Sequence, residues 1–189
     1  MSICRYFSLR SSLIKHCLVP TKFQPLRSCS ALVSRMRYSS TRGETGASLK
    51  EALSRGYATD GGLYVPESLP DVSRQLSDWS KLDFPSLALE VMKLFVGDEL
   101  PFEDLRDVVH GSYRSFTHGK IVPLVPLTHP PDRPVFVAEL FHGPTFCFKD
   151  LGQQLLVRLL ARFAQQDKTR RTFLVSTTGD TGPAAMPGS

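Results

Sequence analysis

Two loops carry the residues whose types and spacing could do chemistry. They are His142-Gly143-Pro144-Thr145-Phe146-Cys147-Phe148-Lys149-Asp150 and Ser176-Thr177-Thr178-Gly179-Asp180-Thr181-Gly182. Lys149 stands at the mouth of a predicted helix, behind Phe146 and Phe148. Burial and the positive end of the helix dipole both oppose a charged ammonium there, and an amine with a depressed pKa is free to attack an aldehyde. Position alone favours an ordinary exposed lysine at a helix start, and Asp150 with Gln153 has capping-box character. The second loop offers hydroxyls at Ser176, Thr177, Thr178 and Thr181, while Gly179 and Gly182 let backbone amides approach a ligand. At a helix N-terminus such a loop cradles a carboxylate or phosphate; a capped strand-to-helix turn has the same composition.

The remaining chemistry is sparse. His16, His110, His118, His129 and His142 show no metal-ligand spacing, so no metal site is expected. Cys4, Cys17 and Cys29 precede residue 38 and leave Cys147 alone in the body, which excludes a disulfide framework and a cysteine-based zinc site. No glycine-rich nucleotide fingerprint, lysine-bearing phosphate loop or serine nucleophile elbow is present.

These loops need elements to hold them. Val135 to Ala138 and Thr172 to Val175 are compact apolar runs that predict strands. Residues 149 to 166 predict a helix through Leu151, Leu155, Leu156, Leu159, Leu160 and Phe163. Strand, helix, strand with short joints predicts a right-handed crossover of a parallel sheet, with both loops at the carboxyl ends of the strands where ligands bind. Upstream, Ser48-Leu49-Lys50-Glu51 is a capping box before a short helix that stops at Gly56. Asp60-Gly61-Gly62 is a turn leading into a strand at Leu63-Tyr64-Val65. Residues 85 to 96 and 101 to 116 have helical apolar spacing, with Pro85 and Pro101 at first-turn positions and Gly97 between them. A proline-rich connection from Pro123 to Pro134 follows. A boundary is expected near residue 120, with a mostly helical module over 39–120 and an α/β domain over 121–189.

The chain has 189 residues, 41% hydrophobic and 22% charged, enough for one globular core and a small second module. Prolines 123, 126, 130 and 131 interrupt the apolar segment from Ile121, so no membrane span is expected. The net charge of +5 is localised: Arg5, Arg10, Lys15, Lys22, Arg27, Arg35 and Arg37 all precede Tyr38, and the first acid is Glu44. Taking those seven from the 23 basic residues leaves 16 against 18 acids, a net of −2, so nucleic acid is not an expected partner. The basic, serine-rich segment 1–38 lacks a continuous apolar core and reads as an organellar transit peptide, mitochondrial or alternatively plastid, with Arg37, Tyr38 and Ser39 suited to a matrix-type cleavage. An unprocessed tail is the other reading. The chain contains no asparagine and hence no glycosylation sequon.

Taken together and in this order, the motifs resemble the threonine synthase family of pyridoxal-phosphate enzymes, whose architecture is the tryptophan-synthase-β-like fold type II. Glu139 to Thr145 followed by Phe148-Lys149-Asp150 is similar to the family's cofactor-lysine segment, and Thr177 to Gly182 to its substrate loop. Ser40-Thr41-Arg42-Gly43, Gly56-Tyr57-Ala58 and Asp60 to Pro66 are similar to its N-terminal domain, so the likeness covers roughly residues 38 to 186. The resemblance implies a Schiff base between Lys149 and pyridoxal 5'-phosphate, with Lys149 shuttling protons while O-phosphohomoserine and water become threonine and phosphate. It also implies that Thr177, Thr178, Gly179 and Thr181 hold the substrate carboxylate and that Asp180 lies near the cofactor's phenolic oxygen, a place where related enzymes carry asparagine. The chain departs from the family after Met186, at Pro187-Gly188-Ser189. The family's phosphate cradle, pyridine-nitrogen partner and most of its sheet lie downstream, so a truncated chain holding only the first β-α-β unit, without competent catalysis, is expected. Two alternatives stay open: a phospho-lyase relative that releases a 2-oxo acid, and a non-enzymatic binding or regulatory fragment.

Overall fold

The computed structural model describes residues 36–127 and 134–186. His16, His129 and the expected leader up to residue 35 lie outside them. Among the described residues, one compact unit comprises 36–123 with 140–186, the other 124–127 with 134–139.

In the larger unit β1 (Tyr38–Ser40) and β2 (Tyr64–Pro66) pair antiparallel, with Tyr38 opposite Pro66. The Asp60 carboxylate holds the turn before β2 by accepting from Ser40 Oγ at 2.6 Å, Gly62 N at 2.9 Å and Glu44 N at 3.0 Å. Gly61 sits at φ 78°, which explains its glycine. Between the strands runs α1 (Leu49–Arg55), started by the expected Ser48–Glu51 capping box and stopped at Gly56. A short α2 (Leu76–Trp79), not foreseen in the sequence, leads to α3 (Phe84–Val96), capped by Asp83 accepting from Ser86 N at 2.9 Å. After α4 (Phe102–Tyr113) the smaller unit supplies β3 (Leu124–Leu127) and β4 (Val135–Ala138), and the chain then returns to the larger unit for α5 (Asp150–Gln166) and α6 (Thr181–Ala185).

The core joins Leu89 and Val96 of α3, Leu105, Val109 and Tyr113 of α4, and Leu159 and Phe163 of α5, with Leu49 and Ala52 of α1 beside them. Phe163 and Val109 have no solvent exposure. Tyr113 is packed edge-on by Phe84 at 5.0 Å and Phe116 at 5.6 Å. The boundary expected near residue 120 therefore does not separate two cores, because α5 and α4 bury one common apolar surface. The smaller unit's described part is instead the hairpin β3–β4.

Two further expectations change. The proline-rich connection contains β3, which pairs antiparallel with β4, Pro126 opposite Phe136. An edge strand tolerates a proline whose missing N–H would face outward. Residues 172–175 form no strand; Leu174 is 94% exposed. An apolar run becomes a strand of a parallel sheet only between flanking strands, and both sheets among the described residues are two-stranded and exclude it. The parallel β-α-β crossover is thus not formed among the described residues.

The N-terminal border also moves. Tyr38, placed at the end of the leader, is 6% exposed, lies in the core cluster and donates through its hydroxyl to Phe95 O at 2.8 Å; Met36 packs on the same cluster. Cleavage at Tyr38-Ser39 would remove a core side chain, so the folded body begins no later than Met36.

Tyr38→Ala should therefore destabilise the chain by about 3 kcal/mol in urea, and Tyr38→Phe by about 1 kcal/mol. Burial pushes the Tyr38 and Tyr113 phenols up to about 12. Because the folded state favours the protonated phenol, this stabilisation is intact below the unfolded value near 10 and is lost as pH rises from there through about 12. A base titration of stability should show that loss in the native chain and a smaller one in Tyr38→Phe.

Candidate active site

Lys149 occupies the N-cap of α5 without any side-chain cap. The preceding loop is built to deliver it there. Gly143 O accepts from Phe146 N at 3.1 Å, and Cys147 O from Asp150 N at 3.0 Å. Phe146 sits at φ 57°, a left-handed conformation that costs a non-glycine residue roughly 1 kcal/mol or more. The strain is held by Asp150, whose carboxylate has no solvent exposure and accepts from Thr145 N at 2.9 Å and Thr145 Oγ1 at 2.8 Å. That carboxylate lies so close to Gly143 that a Cβ there would collide with it.

The second loop arrives through α5 as well. Gln154, 2% exposed, donates from Nε2 to Ala184 O at 3.0 Å and Met186 O at 3.4 Å, tying α6 to α5. Asp180 caps α6 by accepting from Thr181 N at 2.9 Å on Oδ1. Its other oxygen, Oδ2, receives the Lys149 ammonium in an ion pair, with Cys147 Sγ 3.9 Å away.

The fold thus brings together Lys149 and Asp180, 31 residues apart in sequence. Thr177, Thr178 and Gly179 lie on one exposed loop, and Thr181 follows, half-buried at the start of α6. Thr177 Oγ1 accepts from Gly179 N and Thr181 N, both at 3.3 Å. The amides expected to cradle an anion are therefore held by the loop's own side chains. Gly182 faces Thr177 so closely that a Cβ would meet its methyl at 2.7 Å.

The expected depressed pKa of Lys149 is reversed. Phe146 and Phe148 are 74% and 57% exposed, so they desolvate the amine too little to depress its pKa. The Asp180 carboxylate beside it holds the Lys149 ammonium above the ordinary lysine range, with Cys147 adding to the effect, and in return Asp180 falls below the ordinary carboxylate range. The amine faces the Phe148 ring, 5.1 Å from its centroid, and its side chain is 27% exposed.

Sequence reasoning assigned Asp150 a cap and gave Gln154 and Thr145 no role. The available signal was spacing: Asp150, Gln154 and Val157 fall at i, i+4 and i+7 on the buried face of α5, where polar residues must find partners. Among the described residues, no group of three or more His, Cys, Asp or Glu side chains is placed to hold a metal ion. His118 and His142 instead lie ring to ring at 4.7 Å. No helix of the described residues is long and apolar enough to cross a membrane. Cys147 is a free thiol.

The family described as threonine synthase N terminus matches residues 37–113. Threonine synthase of Saccharomyces cerevisiae is 38% identical over 164 residues, covering 80% of this chain and 32% of its own length. Threonine synthase of Pseudomonas aeruginosa is 40% identical over 155 residues, covering 81% and 32%. Over the aligned residues the chain is similar to these threonine synthases. The human protein named threonine synthase-like 2 is equally near, 40% identical over 154 residues, with 80% of this chain and 31% of that protein covered. In three dimensions the chain matches the crystal structure of PLP-bound threonine synthase from Brucella melitensis with a TM-score of 0.73 at 39% identity, covering 79% of this chain and 32% of that one. The yeast threonine synthase structure matches at 0.65 and 37%, covering 72% and 28%. The chain spans about a third of the length of the threonine synthases it matches, and its fold is the corresponding part of fold type II.

The paired charges fix a pH response. Asp180 has a lowered folded pKa, so its contribution is present above the ordinary value of 3.8 and is lost as pH falls through the folded one. Lys149 has a raised folded pKa, so its contribution is present below 10.5 and is lost as pH rises through the folded one. Acylation of Lys149 at pH 9, followed by peptide mass analysis, should run severalfold faster in Asp180→Ala than in the native chain, because more of the amine is free base.

Proposed function

We propose that the protein of which these residues are part is a pyridoxal-phosphate-dependent enzyme acting on O-phosphohomoserine, as a threonine synthase that makes threonine and phosphate. The observation that carries the reading is the Lys149–Asp180 pair, formed by two motifs that each resemble the family's and lie far apart in sequence. The site fits the cofactor on its own chemistry. Lys149 is a primary amine with an accessible tip on a loop fixed from beneath by Asp150, and a carboxylate stands ready to exchange its proton.

When bound, pyridoxal phosphate supplies an aldehyde for that amine and a ring that withdraws electron density from the substrate's Cα. Asp180 Oδ2 holds the proton on Lys149 Nζ until the amine is engaged. A freed Lys149 Nζ is the base and acid that moves protons at the substrate's Cα and Cβ. Thr177, Thr178, Gly179 and Thr181 orient the substrate carboxylate, which requires the amides of Gly179 and Thr181 to exchange Thr177 Oγ1 for the ligand.

The lyase alternative rests on the equal likeness to threonine synthase-like 2 proteins. Incubating the whole protein with O-phosphohomoserine and pyridoxal phosphate separates the two: threonine is expected, 2-oxobutyrate would transfer the assignment to the phospho-lyase, and release of neither would sink both. Borohydride treatment with pyridoxal phosphate should add one pyridoxyl group at Lys149 and none in Lys149→Ala.

The basic, acid-free segment before Glu44 supports a mitochondrial address, with a plastid as the alternative. A fluorescent protein fused behind residues 1–35 should enter mitochondria, and a cytosolic signal would refute the targeting assignment.

A further inference from the structure

Asp150 belongs to neither the ion pair nor the hydroxyl loop, yet it is the fully buried charge nearest to Lys149 in sequence. It sits in the first turn of α5, where the helix dipole favours an anion. Both of its oxygens are engaged by one residue, Thr145, through the backbone N–H on Oδ2 and the hydroxyl on Oδ1. That double bond of contacts closes a ring around Phe146, Cys147, Phe148 and Lys149. The ring contains the strained Phe146, whose φ of 57° a free loop would relax. It also leaves no space for a side chain at Gly143. The exposed aromatic residues of the loop give it little apolar packing of their own, so polar closure must do the holding.

We propose that Asp150, acting with Thr145 across the Gly143 floor, is a positioning residue that holds the Lys149 amine against Asp180. It touches neither cofactor nor substrate and acts through the loop conformation. The inference builds on the reading of Lys149 as the cofactor lysine, but the pairing it predicts exists without any cofactor.

The test uses the full 189-residue chain with its lysines reductively dimethylated with 13C-formaldehyde, and no pyridoxal phosphate. The Lys149 methyl signal is assigned by its disappearance in Lys149→Arg, and its pH titration is followed by NMR. In the native chain it should titrate above an ordinary lysine, with Asp180→Asn as the reference for a broken pair. Asp150→Ala removes both acceptors and should bring the titration down to that of Asp180→Asn while the cooperative melt persists. Thr145→Val, which removes one hydroxyl at a half-buried position, should lower it part of the way, and Thr145→Ser should restore the native value. Should Asp150→Ala fail to fold, the Thr145 pair decides. A folded Asp150→Ala or Thr145→Val with the native Lys149 titration would overturn the proposal, as would a Thr145→Ser no better than Thr145→Val. Failure of pyridoxal phosphate to add at Lys149 would overturn the cofactor assignment alone, since the titration is read without it.

Discussion

A carboxylate withdrawn completely from water must find donors for its charge or become neutral, and desolvation makes an unpartnered one costly. Asp150 resolves this with the N–H and O–H of Thr145, five residues upstream. Those bonds satisfy a buried charge, stabilise the first turn of α5, and fix a strained loop whose last residue is Lys149. The direction of the Lys149 side chain follows from that closure. Gln154, one turn further along the same face, fixes α6 and with it Asp180. Thus two polar residues on a buried helical stripe set the distance between the amine and its counter-ion, while Phe163 and Leu159 further along the helix anchor the whole arrangement to α4.

The local signals in the sequence proved sufficient for α1, α3, α4 and α5, though not for the short α2. Ser48 with Glu51, Pro85 with Gly97, and the apolar spacing from Leu151 to Phe163 each report an interaction within a turn or two, and α1, α3, α4 and α5 form where those signals lie. What local spacing could not report is partnership. Pro126 argued for a loop, but an antiparallel neighbour made it part of a strand. Thr172 to Val175 argued for a strand, but without flanking strands its apolar side chains are exposed. The helical and α/β portions looked separable near residue 120 because α5 carries its own amphipathic pattern; the partner for that pattern is α4, whose Tyr113 lies 38 residues before the Leu151 it contacts.

The site divides in the same way. Lys149 and the Thr177–Thr181 loop were legible as residue types in order. The sign of the Lys149 pKa was not, because it depends on a carboxylate 31 residues away rather than on its neighbours Phe146 and Phe148. Burial and the helix dipole act in the expected direction, but an adjacent opposite charge outweighs both for a side chain that keeps part of its surface in water. Tyr38 illustrates the converse error. Its neighbours Arg35 and Arg37 drew it into the basic leader, whereas its hydroxyl and ring are committed to Phe95 and the core.

Asp180 is the point at which these constraints meet. One of its oxygens accepts the Thr181 amide at the start of α6, and the other holds the Lys149 ammonium. A ligand that takes the amine leaves Oδ2 without its cation; a ligand carboxylate that takes the loop amides leaves Oδ1 without its donor. Either event changes the charge balance felt by the other half of the site, because both act on a single carboxylate. Asparagine at this position would keep a donor and an acceptor but carry no charge, so the amine would sit beside a dipole and hold its proton less firmly. The aspartate of this chain therefore makes engagement of Lys149 conditional on finding a new place for a proton or a new partner for a negative charge.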